Sequence, residues 1–210
     1  MTVNHAQRER RELAELFEQV GPDAPTLCEG WDASDLAAHI VVRERRPDTG
    51  PGILFAPLAG YSEKVRRGYA SKPWPELVEL VRSGPPLLSP FALPGVDRLA
   101  NTMEFFIHHE DVRRAQGLAP RELNPDLSAQ LWKIVQRMSR MLMRGAPVGI
   151  RLDTGDGRAV DAVAGTPLVT VTGEVGELAL FAYGRQGAAQ VDYDGPADAV
   201  DSVRRGDFGI

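Results

Sequence analysis

The sequence predicts an α+β protein: a helical bundle over residues 1–145, then a small α+β domain over 146–210. Two observations carry this. Apolar residues recur at helical spacing through the first two-thirds of the chain, and past Pro147 the period drops to two. The size agrees, since 210 residues can bury one large core or two small ones.

The elements follow in order. Leu13, Leu16, Phe17 and Val20 fall at i, i+3, i+4 and i+7 on one helix face, and Gly21-Pro22 stops that helix. Asp32 is placed to cap a second helix and Asp35 sits at its acid-favouring third position. That helix is expected to reach about Arg46, because Pro47 disfavours continuation. Residues 47–60 hold three prolines and three glycines and read as a long loop. Short helices are expected at 61–70 and 75–83, with breaks at Ser83-Gly-Pro-Pro86 and Leu93-Pro-Gly95. A long helix should span about Val96 to Gln116, with Gly117 as its C-terminal cap. Another should run from Asp126 to Met143, with Leu127, Leu131, Ile134, Val135, Met138 and Leu142 as its stripe. Beyond it, Val148, Ile150 and Leu152 alternate as in a strand, and Thr154-Gly-Asp-Gly157 turns the chain into a return strand at Ala159 to Val163. A third strand is expected at Leu168 to Thr172, a helix at Glu174 to Tyr183, a short strand at Ala189 to Tyr193 and a last helix at 196–205.

Composition narrows the functional classes. A net charge of −5 argues against an electrostatically driven nucleic-acid binder. No apolar run approaches the roughly 18 residues of a membrane span, and the N-terminus is too polar for a secretory signal. Cys28 is alone, so no internal disulfide points to an oxidising compartment. The expectation is a cytoplasmic protein with a small-molecule partner, as monomer or homodimer.

Glu104 and His108 are four apart in a helical stretch, which puts both on one face within reach of one ion. The same spacing also makes a surface ion pair. His39 lies among Leu36, Ala37, Ala38 and Ile40, too apolar a setting for a solvated side chain; it reads as a core histidine or a ligand. Bundles build metal sites from inward carboxylates and histidines on facing helices. Two imidazoles and a carboxylate suit zinc and leave a fourth position open, and iron, nickel or manganese accept the same set.

The segment Cys28-Glu-Gly-Trp31-Asp-Ala-Ser-Asp35-Leu-Ala-Ala-His39 resembles the first metal-ligand segment of the mycothiol-dependent maleylpyruvate isomerase family, one of the DinB/YfiT-like helical bundles. Met103-Glu-Phe-Phe-Ile-His-His-Glu-Asp-Val-Arg-Arg-Ala115 resembles its second segment. Thr170 to Arg185 resembles the helix segment of its sterol-carrier-like C-terminal domain. The resemblance implies a four-helix bundle holding a divalent metal, zinc first, on His39, Glu104 and His108. It also implies mycothiol as a low-molecular-weight thiol cosubstrate and an actinobacterial setting. The implied activity is isomerisation or S-transfer on an unknown substrate, with Arg185 as a catalytic candidate. A non-catalytic metal- or ligand-binding protein and a metal-dependent hydrolase are the alternatives.

Other residues have narrower readings. Asp35, one turn before His39, either caps the helix or orients that histidine. His109 points about 100° away from His108 and reads as packing, or as a support behind the ligands, rather than as a ligand. Asp111 and Arg114 form an ion pair or bind a substrate carboxylate. Trp31 is expected under the metal helix; Cys28 could be a nucleophile or a ligand, but reads better as a small core residue.

Overall fold

A computed structural model of the chain describes residues 4–49, 56–86, 89, 101–206 and 208–209, with the side chains of 56–58 left out. The chain divides into two compact units, Met1–Pro120 and Arg121–Ile210.

The described part of the first unit is helical. Its helices are α1 (His5–Val20), α2 (Ala33–Arg45), α3 (Ala56–Ala70), α4 (Trp74–Ser83) and α5 (Thr102–Ala115), with a 3-10 turn at Pro47–Thr49. α1 packs against α4 and α5, and α2 against α3 and α4. Local chemistry sets the ends. Asn4 accepts from the Gln7 amide at 3.3 Å at the head of α1, and Asp32 accepts from the Asp35 amide at 2.9 Å at the head of α2. Each such bond satisfies one of the free N–H groups of a first turn. Gly117, with φ +72°, follows the end of α5, in a conformation that favours glycine.

The predicted face of α1 is the buried one: Leu13 and Phe17 are fully enclosed and Leu16 nearly so. They meet Leu36, Ala37 and Ile40 of α2, Leu77 and Val81 of α4, and Phe105 of α5. Each such large side chain contributes about 1.5–3 kcal/mol by leaving water. A buried ion pair crosses this core. The Arg10 guanidinium grips the Glu44 carboxylate through both nitrogens, at 2.5 and 2.6 Å, and stacks 4.4 Å from the Phe105 ring centre. Arg10 also donates to the Val81 carbonyl, and the Asn101 amide donates to Glu44. One polar knot thus ties α1, α2, α4 and α5.

The second unit begins with α6 (Pro125–Leu142), capped by Asn124, whose side chain accepts from the Leu127 amide at 2.9 Å. Strands β1 (Gly149–Asp153), β2 (Ala159–Val163), β3 (Leu168–Thr172) and β4 (Asp192–Asp194) form a sheet in the order β2-β1-β3-β4. β1 pairs antiparallel with β2 and parallel with β3, and β3 pairs antiparallel with β4. The parallel pair is joined through the β2 hairpin, and α7 (Val175–Ala182) and α8 (Ala197–Arg204) complete the unit. Ile150 and Leu152 of β1 and Val169 and Val171 of β3 are fully buried, as period-two alternation requires. Gly149 is needed where it stands: a Cβ there would lie 2.4 Å from the Gly165 carbonyl oxygen.

Two elements and the division into units differ from the sequence reading. α3 starts at Ala56 rather than 61, because Pro57 falls in the first helical turn, where a missing N–H costs nothing. β4 pairs at 192–194 rather than 189–193, since the Ala188 and Ala189 amides turn back onto the Arg185 carbonyl. The period changes at Pro147, but the compact units divide earlier, because α6 packs on α7 and β2. The Leu93-Pro-Gly95 break and the first turn expected at 96–100 lie outside the described residues.

Candidate metal centre

The first unit brings His39, Glu104 and His108 together. Leu36 and Ile40 anchor α2 in the core, which fixes the direction in which His39 leaves the helix. Phe105 does the same for α5 and aims Glu104 and His108 along one face. The Nε2 atoms of His39 and His108 stand 3.2 and 3.3 Å from the same oxygen, Glu104 Oε1. The two imidazole rings are 5.3 Å apart and nearly perpendicular. Ligands bonded to zinc at 2.0–2.1 Å in a tetrahedron are roughly 3.3 Å from one another. Each nitrogen therefore lies from that oxygen at the spacing of neighbours on one ion, and the three ligand atoms all lie within 4.8 Å of one another.

Electrostatics distinguish the two histidines. Burial dominates at His39 and pushes its imidazole below the ordinary value, so it is neutral near pH 7. Burial also opposes charge on His108, but hydrogen bonds with Asp111, Cys28 and Glu104 outweigh it and hold that imidazole well above its ordinary value. At Glu104 burial would raise the carboxyl. The bonds to His108 and His39, with the charges of His108 and Arg43, prevail and keep it well below the usual range.

The groups around the three are specific. Asp111 Oδ2 holds His108 Nδ1 at 2.9 Å, which turns Nε2 toward Glu104. The Cys28 thiol donates to the same Asp111 oxygen at 3.2 Å, and the Leu27 amide donates to the Asp111 carbonyl at 3.1 Å. The strap before α2 is thereby fastened to α5. Trp31 lies on the other histidine, its ring 5.3 Å from that of His39, and the Arg66 guanidinium covers Trp31 at 4.8 Å. Arg43, one turn after His39, reaches Glu104 Oε1 with Nε at 3.3 Å and donates to Asn101 at 2.6 Å.

Several candidate roles resolve. Asp35 pairs with Arg66, which Glu63 also holds, so it ties α2 to α3, while Asp32 caps α2. Arg114 pairs with Glu110 at 2.7 Å, a different carboxylate from the Asp111 expected beside it. Asp111 is engaged with His108, and its i, i+3 spacing from that residue was the available signal. Arg43 sits at i+4 from His39, the corresponding signal on α2. Arg185 belongs to the second unit, where it donates to the Tyr183 carbonyl at 2.5 Å.

No family model matches the sequence, and no curated protein matches it. By structure the chain is similar to a crystal structure of the mycothiol-dependent maleylpyruvate isomerase, with TM-score 0.58 and 15% identity, over 90% of each chain. A histidine-to-alanine variant of that enzyme gives TM-score 0.57 at the same identity and coverage. The two proteins share a fold. No described helix is long and apolar enough to cross a membrane.

Proposed function

We propose that the protein is a metal- and thiol-dependent enzyme, an isomerase or S-transferase acting on a small electrophilic molecule with mycothiol as the thiol. The observation that carries this reading is the pair of Nε2 atoms converging on one Glu104 oxygen, inside the fold of an enzyme named for that thiol. The donor set fits a divalent ion, zinc first: two imidazole nitrogens and one carboxylate oxygen, with room in a tetrahedral shell for one exogenous group.

When bound there, the ion would supply Lewis acidity and hold a thiol as thiolate at neutral pH. The chain's own residues do the rest. His39 is kept neutral by burial and needs only a shift of its remaining proton to Nδ1 to offer Nε2 as a lone-pair donor. His108 gives up a proton when it becomes a ligand, and Asp111 then accepts the Nδ1–H that remains and fixes the ring. Glu104 stays ionised throughout. Trp31 and Arg66 wall the His39 side. A thiol held there by His39, Glu104 and His108 through the ion would be the nucleophile for an activated double bond. Rotation about the resulting single bond and expulsion of the thiolate complete an isomerisation. Attack on an alkylating electrophile with loss of its leaving group completes an S-transfer. Arg185 is proposed as a catalytic residue on the strength of the sequence resemblance.

The test is turnover of maleylpyruvate, and of a bimane electrophile, by metal-loaded protein with mycothiol. The expected result is thiol-dependent turnover of at least one of them, lost in His39→Ala. Absence of thiol binding together with an indifferent His39→Ala would contradict the proposal, and turnover without any thiol would point to metal-activated water.

A further inference from the structure

Asparagine is among the strongest residues at the head of a helix, because its side chain accepts from a first-turn amide. Asn101 stands at the head of α5 and makes no such bond. Its side chain is fully buried and turned to other partners. The amide nitrogen donates to Glu44 Oε1 at 3.3 Å, and the amide oxygen accepts from Arg43 Nη1 at 2.6 Å. Together these bonds fix the amide, since the flipped group would set N–H against guanidinium and oxygen against carboxylate. Arg43 in turn stands with Nε 3.3 Å from Glu104 Oε1. A chain of contacts thus runs from the Arg10–Glu44 pair in the core, through Asn101 and Arg43, to the carboxylate of the metal centre.

We infer, resting on the metal centre proposed above, that Asn101 and Arg43 are positioning residues for Glu104 and hold its carboxylate where the ion needs it. Among the described residues, His39, His108 and Arg43 reach Glu104 Oε1. The two histidines would turn to the ion as ligands, which leaves Arg43 to orient the carboxylate. A carboxylate offers about four lone-pair directions, so it can serve a guanidinium and an ion together. Phe105 anchors the helix but does not restrain the rotatable bonds of the Glu104 side chain, and an ion would otherwise have to freeze them itself. Arginine suits the task because its planar fork offers Nη1 to Asn101 and Nε to Glu104, whereas a lysine ammonium is a single point charge. Asn101 acts one step further away, by fixing the fork.

The test is Co²⁺ titration of the chelator-stripped full-length protein, followed by visible absorption, for wild type, Arg43→Lys, Asn101→Ser and the double variant. Arg43→Lys keeps the charge beside Glu104 and removes the fork. Asn101→Ser keeps a capping residue at the head of α5 but is too short to reach both partners. Each single variant is expected to bind cobalt roughly tenfold more weakly, with an altered ligand-field spectrum. The double variant should bind no more weakly than the weaker single one, because both act through one contact; independent effects would multiply to about a hundredfold. A role in fold stability alone would lower the urea midpoint and leave cobalt affinity and spectrum as in wild type. Wild-type affinity and spectrum in Arg43→Lys would overturn the inference and leave the metal centre standing. So would a folded Asn101→Ser that binds as wild type does, or multiplied losses in the double variant. The Arg43 side chain is 20% exposed, so Arg43→Lys decides the matter even if Asn101→Ser does not fold. A wild type that takes up no cobalt would contradict the metal centre itself, and the positioning role with it.

Discussion

Two charge clusters, one buried and one partly exposed, join α2 to α5 and its leading residue Asn101, and they are built differently. In the Arg10–Glu44 knot a guanidinium meets a carboxylate through two short bonds, and the Val81 carbonyl and the Asn101 amide take up further valences. The two opposite charges match one to one. In the His39–Glu104–His108 cluster the contacts are 3.2 and 3.3 Å, and two of the three groups can lose or shift a proton. The first arrangement is closed and gives nothing to a ligand. The second holds donor atoms at the spacing of a coordination shell and keeps them oriented from outside through Asp111. Buried charge alone therefore does not mark a site; bond length and exchangeable protons do.

The comparison predicts different responses to mutation. The largest effect is expected for Arg10→Ala. It strands the Glu44 carboxylate in the core and should cost about 3–5 kcal/mol, read by urea unfolding. The double variant Arg10→Met/Glu44→Leu should recover most of that loss. An Arg10→Ala cost under about 1 kcal/mol would erase the distinction between the clusters. Asp111→Asn comes next: loss of the carboxylate behind His108 should weaken metal affinity roughly 10–100-fold while the fold persists. The pH dependence sharpens the contrast. Metal must displace the His108 proton, so below the raised value of that imidazole the apparent affinity should climb about tenfold per pH unit. In metal-free protein the charged His108 stabilises fully below about pH 6.5, its unfolded value. That contribution should fade as pH rises through the higher folded value. The smallest effect is expected for Asp32→Ala, which removes the cap of α2 and should cost about 1 kcal/mol.

The same contrast explains what could be read in advance. α1 and α6 announce themselves through i, i+3, i+4 stripes, and α2 through Asp32, because these are local patterns. Glu104 and His108 share a helix turn, so their common face was visible too. That His39 faces them, 65 residues away, depends on how Leu36, Ile40 and Phe105 pack; spacing alone does not encode it. The resemblance to a known family supplied that link. The Arg10–Glu44 pair spans 34 residues and was invisible for the same reason. Asp111 and Arg43 were readable from their i+3 and i+4 offsets, but only once His108 and His39 are seen as one group. The start of α3 was hidden by Pro57, which breaks a helix interior and not its first turn.

The central claim is that His39, Glu104 and His108 hold one divalent ion, and zinc titration of stripped wild type and His39→Ala against a chromophoric competitor tests it most directly. The account predicts that His39→Ala, still folded by circular dichroism, loses one tight equivalent that wild type retains. Equal stoichiometry and equal affinity in the two proteins would contradict it.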